Sequence, residues 1–437
     1  MLTATQALTV LAEVAPGPVP RALLEHRLAV IAADLAGNPV FRPGELPDTH
    51  FMRFVIIEDP RSELPALLAW ETNHDGRAPD YLAAVARAAP SIEAVFECCA
   101  DYPPGAVQDV ERWVAWMTAH SYRAGAFYTG YRGVPRTAIE NDRRVHDVIR
   151  DLLDHEDRAE LAGLPRHELQ RRIHAQVAAR APELDLSSGG DEELRWLVGK
   201  LLAALGALAM LPIFLILVVP WYLVLRRKET TDLATAYTQP VPLDPAVIEA
   251  EDRLMQNRLA QHPPAQNPLT HIVDIKPGRF RLATLWIVLK AIDVAAQVYS
   301  VRGDLGGITT IHFARWVILR DPRAEGHHRR HRLVFFSNYD GSWESYLGEF
   351  IDRAAYGLTA VWSNTVGFPA TEHLVGAGAR AEEAFTLWTR EHHIATQVWW
   401  TGVADATVAN IRDDIWIRRR LGRSMSDPEL VAWMRKL

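Results

Sequence analysis

Apolar positions along the chain run twice through the same series of periods. In the first half a short alternating run, Thr9–Val14, stops at Pro16-Gly17. Alternation at a period of two marks a strand, and Pro-Gly interrupts it. Helical spacing follows over Pro20–Ala36, then two extended runs, His50–Glu58 and Ala66–Thr72. Asn73-His74-Asp75-Gly76 reads as a turn that caps the next helix, because Asn, Asp and Gly tolerate turn geometry. Helical spacing returns over Tyr81–Ala89, and Ala124–Thr129 is an aromatic strand. The second half repeats the order with His271–Ile275, Phe280–Tyr299, His312–Leu319, Leu333–Ser337, Ser345–Ala355 and Ala395–Thr401.

Residues repeat along with the periods. His50-Phe51-Met52-Arg53 matches His312-Phe313-Ala314-Arg315, Asn73-His74-Asp75-Gly76 matches Asn338-Tyr339-Asp340-Gly341, and Phe127-Tyr128-Thr129-Gly130 matches Trp399-Trp400-Thr401-Gly402. Each copy is too long for a solenoid repeat and has the size of a domain. The predicted class is α+β. Two ferredoxin-like β-α-β-β-α-β domains stand in tandem, with helices on one face of each sheet. The other faces then pack together as a pseudo-dimeric α/β barrel within one chain. The expected division is 1–150 for the first copy, 151–195 for a charged helical connector, and 196–228 for an apolar segment. A Pro- and Gln-rich linker follows at 229–268, and the second copy at 269–437.

Between the copies the pattern changes. Leu201–Leu225 is a run of 25 residues without a charge. That exceeds the roughly 20 needed to cross a bilayer core. Lys200 precedes it and Arg226-Arg227-Lys228 follows, with Trp196 and Trp221-Tyr222 near its ends, as at a membrane interface. Pro212 and Pro220 lie inside the run and predict kinks. A single crossing would place the copies on opposite sides, whereas the barrel requires them on one side. The expectation is therefore a membrane-associated, monotopic or re-entrant anchor, with pairing between subunits of a homo-oligomer as the alternative. The basic cluster puts the following region, and with it the bulk of the chain, in the cytoplasm. Met1–Ala15 shows neither the basic region nor the cleavage motif of a signal peptide.

Composition narrows the chemistry. The chain has 437 residues, 49% apolar and 23% charged, which are globular values. Its net charge of −7 argues against nucleic acid as a partner. The two cysteines, Cys98 and Cys99, adjoin each other and read as reduced and structural. No P-loop, dinucleotide fingerprint, nucleophile elbow or zinc motif is found.

The candidates that remain are repeated residues. His50 and His312 begin matching strands and read either as ligand or acid–base groups, or as histidines bonded to a loop carbonyl. Strand alternation places His312, Ala314 and Trp316 on one face and Phe313 with Arg315 on the other. Arg53 and Arg315, with Glu13 and Asp274 in the first strands, read as buried ion pairs or as anion-binding groups. Trp362, Trp399, Trp400, Phe335 and Phe336 read as core, or as the lining of a pocket for a planar or lipidic ligand. His327–His331 reads as a solvated basic loop.

The second copy, with Ile311-His-Phe-Ala-Arg-Trp316, Phe335-Phe-Ser-Asn-Tyr-Asp-Gly-Ser-Trp343 and Ala360-Val-Trp-Ser-Asn-Thr-Val-Gly-Phe-Pro369, resembles a family of uncharacterised bacterial membrane-associated proteins. At the level of fold the tandem resembles the dimeric α/β-barrel superfamily, which includes dye-decolorising peroxidases. Asn338-Tyr339-Asp340-Gly341 is the nearest match to their Gly-x-x-Asp-Gly motif, with Asn at the first position. The resemblance implies a barrel that binds a hydrophobic or planar small molecule, with haem as the cofactor and an oxidoreductase as the function. His312 is then the expected metal ligand, Trp316 its companion at the cofactor, and Arg315 and Asp340 the catalytic groups. The competing expectation is a non-enzymatic lipid-binding or scaffold protein, with membrane lipid as the partner.

Overall fold

A computed structural model describes residues 5–58, 66–155, 164–187, 192–232, 266–298, 307–320, 331–404 and 406–437. The chain is a mixed α+β protein built on two four-stranded antiparallel sheets. Its strands are β1 (Thr5–Glu13), β2 (Thr49–Ile57), β3 (Leu67–Asp75), β4 (Ala124–Thr129), β5 (Gln266–Asp274), β6 (Ile311–Arg320) and β7 (His331–Asp340). A small hairpin, β8 (Thr371–Glu372) and β9 (Gly376–Ala377), precedes the last strand, β10 (Val398–Thr401). The first sheet has the order β1-β3-β2-β10 and the second β4-β6-β7-β5.

Each sheet thus takes three strands from one half of the chain and one from the other. Near β4 the chain first runs along the edge of β1, where Leu11 N donates to His120 O at 2.9 Å and Tyr122 N to Thr9 O at 2.8 Å. It then crosses, and β4 pairs with β6. The second half does the same. Ile272 N donates to His392 O at 3.0 Å, Ile394 N donates to Thr270 O at 2.9 Å, and β10 pairs with β2. The two crossing segments join the sheets at both edges, which satisfies edges that would otherwise be open.

The helices of eight or more residues are α1 (Pro18–Ala33), α2 (Ala78–Ala88), α3 (Val110–Ala119), α4 (Arg136–His155), α5 (Arg166–Arg180), α6 (Glu192–Asp232), α7 (Arg279–Val298), α8 (Trp343–Trp362), α9 (Glu382–Glu391), α10 (Val408–Leu421) and α11 (Asp427–Met434). In both halves an additional helix, α3 or α9, stands before the final strand, where the pattern predicted none. The helices bury the outer faces of the sheets. Met52, Phe54 and Trp70 pack beneath α1, α2 and α3, and Trp316, Phe335 and Trp362 lie in the matching core of the second sheet. The inner faces meet directly, with Leu11, Val55 and Ala69 against Val317, Val334 and Phe336. Strands buried on both faces read as continuous apolar runs, which is why β2 is buried at every position.

The predicted boundaries shift with packing. The charged connector is not a separate piece, since α4 starts at Arg136 and carries Val145, Ile149 and Leu152 into a helical cluster with α5, α10 and α11. Most of the Pro- and Gln-rich linker, residues 233–265, lies outside the described residues, as does 321–330 of the basic loop. The apolar run lies within α6, a helix of 41 residues that includes Pro212 and Pro220. Among the described residues no helix is long and apolar enough to cross a membrane. Positions 203, 207, 210, 211, 213 and 214 of the run have side chains outside that description.

Candidate functional site

Polar side chains gather in two layers between the sheets. The central layer is built on Arg53 and Arg315, which occupy corresponding positions on β2 and β6. Both are essentially unexposed, so their donors need partners. Arg53 Nε lies 2.8 Å from Glu71 Oε2. Its Nη1 donates to Leu269 O at 2.8 Å and Thr270 Oγ1 at 3.2 Å, and its Nη2 to Ser337 O at 2.8 Å and Asn338 Oδ1 at 2.6 Å. Arg315 answers from the other sheet. Its Nη1 donates to Leu8 O at 2.7 Å and Thr9 Oγ1 at 3.1 Å, its Nη2 to Thr72 O at 2.9 Å, and it pairs with Glu71 as well. Each arginine therefore bonds to the backbone of the opposite sheet.

One carboxylate serves both guanidiniums. Glu71 faces Arg53 across β2 and β3, whereas the residue facing Arg315 across β6 and β7 is Phe336. Burial lowers the pKa of both arginines, against the pull of Glu71, and brings Arg315 down to about 10. Guanidiniums keep their proton in proteins, so with one carboxylate between two of them the layer carries one positive charge in excess. Arg53 sits over Phe336 at 5.5 Å and Arg315 over Phe127 at 5.8 Å, so ring faces share that charge. The acidic partner is Glu71, not the Glu13 and Asp274 expected from the sequence. The available signal was a lone Glu in the apolar run Leu67-Leu-Ala-Trp-Glu71.

The second layer lies toward one end of the two sheets. His50 and His312 are each the extra residue where the strand register shifts, between Thr49 and Phe51 and between Ile311 and Phe313. A bulge breaks simple alternation. It turns His312 inward, 5.0 Å from the Phe51 ring, and His50 5.3 Å from the Phe313 ring. His312 therefore does not share a face with Trp316, which stacks on Phe335 in the outer core at 4.6 Å. His50 Nε2 lies 2.9 Å from Asp75 Oδ1 and His312 Nε2 2.8 Å from Asp340 Oδ1.

The second oxygen of each carboxylate reaches a helix. Arg136 N, at the start of α4, donates to Asp75 Oδ2 at 2.8 Å, and Val408 N, at the start of α10, donates to Asp340 Oδ2 at 2.8 Å. A helix start has unpaired N–H groups and a partial positive charge, so a carboxylate there is stabilising. The two aspartates do cap helices, but distant ones rather than those that follow them in sequence. Burial raises the Asp75 pKa, yet the bonds from His50, Arg136 and Thr5 outweigh it and hold the carboxyl below its usual value. The turn falls to Gly76 and Gly341, with φ of 85° and 86°. Asn73 and Asn338 are strand residues whose amides meet between the sheets at 3.1 Å.

The dyads differ in one respect. Tyr131 Oη lies 3.2 Å from His312 Nδ1, forming a chain Asp340–His312–Tyr131. The corresponding ring nitrogen of His50 has no partner among the described residues. Burial, and after it Asp340 and Asp75, push the Tyr131 hydroxyl well above its usual pKa. Tyr131 was not singled out from sequence, because its counterpart after Gly402 is Val403. The remaining aromatic candidates disperse. Trp362 and Phe335 join the outer core, Phe336 the inner one, and Trp399 packs on Phe51 and donates to Asn338 at 2.9 Å.

These residues do not fit a haem site. His312 is 0% exposed and both of its ring nitrogens are engaged, which leaves none for iron. Arg315 is spent on Glu71 and on backbone carbonyls. Among the described residues no group of three or more His, Cys, Asp or Glu is placed to hold a metal ion. Cys98 and Cys99 are buried free thiols, and burial raises the pKa of each. No family model, curated protein or solved structure matches the chain.

Proposed function

We propose that the chain is a duplicated ferredoxin-like unit closed into a single-chain α/β barrel, and that this barrel is a rigid, non-enzymatic body held at a membrane. The observation that carries the reading is how the polar groups of the interior are used. Arg53, Arg315, Glu71, Asp75, Asp340 and His312 bond to one another and to backbone, joining the two sheets and two helix starts. Such networks specify one packing of a core. Exposed apolar side chains concentrate instead on α6, where Leu201, Leu202, Leu205, Leu208, Leu215 and Ile216 are each at least half exposed. A patch of that kind marks a lipid or partner surface.

The second reading is a redox protein for a planar or hydrophobic molecule. The chain Asp340–His312–Tyr131 favours it, since one dyad has a phenol and the other has none. Flotation with liposomes, together with the visible spectrum before and after adding haem, decides between the readings. The scaffold reading expects a floating, colourless protein that gains no haem band. A haem band that disappears in His312→Ala would overturn it in favour of the second.

A further inference from the structure

Both flanks of α6 are tied to the same folded body. On the upstream side Ala181 and Leu184 pack in the cluster of α4, α5, α10 and α11. Asn141 bonds Asp185 in both directions, at 2.8 and 3.0 Å, and Arg418 of α10 donates to Ser187 O. Downstream, Trp221 Nε1 donates to Thr284 Oγ1 of α7 at 3.1 Å, and Tyr222 Oη lies 2.7 Å from His373 Nδ1. Leu225 is buried against Ala360 and Leu374. Glu229, 3% exposed, accepts from His373 N at 3.1 Å and Leu374 N at 2.7 Å.

Chain length turns these ties into a constraint. At 1.5 Å per residue, the helix from Glu192 to Glu229 is about 55 Å long. From Ser187 to Glu192 the chain reaches at most about 19 Å. Were α6 to run across a bilayer core of about 30 Å from its tie at Glu229, Glu192 would lie beyond the far surface. Ser187 would then be too far away to meet Arg418 on the body. The return would also draw Asp191, Glu192, Glu193 and Arg195 through hydrocarbon, at high cost.

We infer that α6 is an in-plane anchor: its midsection is immersed in one leaflet of a lipid bilayer and enters and leaves by the same surface, with the barrel on that side. This rests on the membrane reading above. Three features select lipid as the occupant. The run is free of charge over 25 residues, and its described side chains, Leu201, Leu202, Leu205, Leu208, Leu215 and Ile216 among them, are exposed and apolar. A helix docked on a protein keeps a polar face toward water. Arg226-Arg227-Lys228, Trp221 and Tyr222 stand at the downstream end, as basic and aromatic groups do at headgroups. On α7, which contacts α6, Trp286 and Ile287 are each 56% exposed and Val294 49%, extending the apolar surface onto the body. Helical backbone satisfies its own hydrogen bonds except at the carbonyls that Pro212 and Pro220 leave without a donor, so immersion exposes few bare polar groups.

The test uses the full chain in sealed liposomes of phosphatidylcholine and phosphatidylglycerol, with Cys98 and Cys99 buried and silent. Single cysteines are introduced as Val198→Cys, Arg227→Cys and, on α9, Glu383→Cys. They are labelled with a membrane-impermeant maleimide before and after lysis of the vesicles. The expected result is floating protein with all three sites labelled equally, without lysis. Labelling of Val198→Cys only after lysis, with the other two open, means a crossing and overturns the in-plane anchor while leaving membrane attachment standing. Protein that does not float overturns both. A lipid-free dimer that protects α6 would then identify a second copy as its occupant.

Discussion

The two halves of the chain carry matching residues at most of the points that join the sheets, and differ at one of them, Glu71. His50 and His312, Arg53 and Arg315, Asn73 and Asn338, and Asp75 and Asp340 hold equivalent positions and make equivalent bonds. Gly130 and Gly402 also match. A β-carbon on either would collide with a carbonyl oxygen, of Ile311 or of Thr49, at the point where the crossing strand meets its new sheet. The differences are Glu71 against Phe336, His74 against Tyr339, and Tyr131 against Val403. Two halves of one chain, unlike two identical subunits, are free to differ where a single group suffices. One carboxylate serves two arginines, and a second at the position of Phe336 would bury a further charge.

The strongest test of this comparison is Glu71→Gln. It leaves two buried guanidiniums without a counter-charge and is expected to cost about 3–5 kcal/mol. Urea unfolding of the purified protein measures it. Adding Phe336→Glu restores a carboxylate from the opposite half and should recover part of the loss. If it recovers nothing, the space between the sheets is not equivalent in the two halves.

Asp75→Ala and Asp340→Ala come next. Each removes the partner of a buried histidine and of a helix start, at an expected cost of about 2–3 kcal/mol. The two costs should agree within about 1 kcal/mol. A larger gap in thermal or urea stability would mean that only one end holds its helix in this way.

The pair His74 and Tyr339 separates the halves by pH. His74 stacks on Tyr81 at 4.0 Å with neither ring nitrogen partnered among the described residues, and Tyr339 stacks on Tyr346 at 3.9 Å. Burial, and then Arg315, bring His74 from 6.5 to about 3. The unfolded chain therefore takes up this proton first. Stability is intact above pH 6.5 and drains away as the pH falls toward 3. At pH 5 the loss from this group is about 2 kcal/mol. His74→Tyr, which installs the residue of the other half, should flatten that part of the stability–pH curve. The Asp75 loss remains, because its depressed pKa takes effect only as the pH falls below 3.8. An unchanged slope between pH 6.5 and 5 in the variant would remove His74 from the account.

The smallest effect belongs to Tyr131→Phe. Losing one neutral hydrogen bond to His312 should cost about 1 kcal/mol and leave the fold unchanged. A much larger loss would mean that the Asp340–His312–Tyr131 chain supports more than its own geometry.

Much of the element order was readable from periodicity, because a strand packed on both faces and a helix packed on one leave patterns in the chain. The ion-pair partner was less readable. Arg53 and Glu71 are 18 positions apart, and only the pairing of β2 with β3 brings them opposite each other. Alternation gives His312 the wrong face because it presumes an unbroken strand, and a register shift sits at that residue. Helices α3 and α9 leave little signal along the chain because each carries its Trp, Met or Phe on a single short face.

By itself the sequence determined the two-fold run of elements, the charge-free stretch of α6 and the repeated polar residues. These properties are local: they depend on spacing, composition and repetition along one chain. Tertiary structure alone decided that β4 and β10 change sheets, that Asp75 and Asp340 cap α4 and α10, and that both flanks of α6 belong to one body. Such outcomes depend on which distant groups a closed core brings within hydrogen-bonding reach, and burial makes those pairings obligatory.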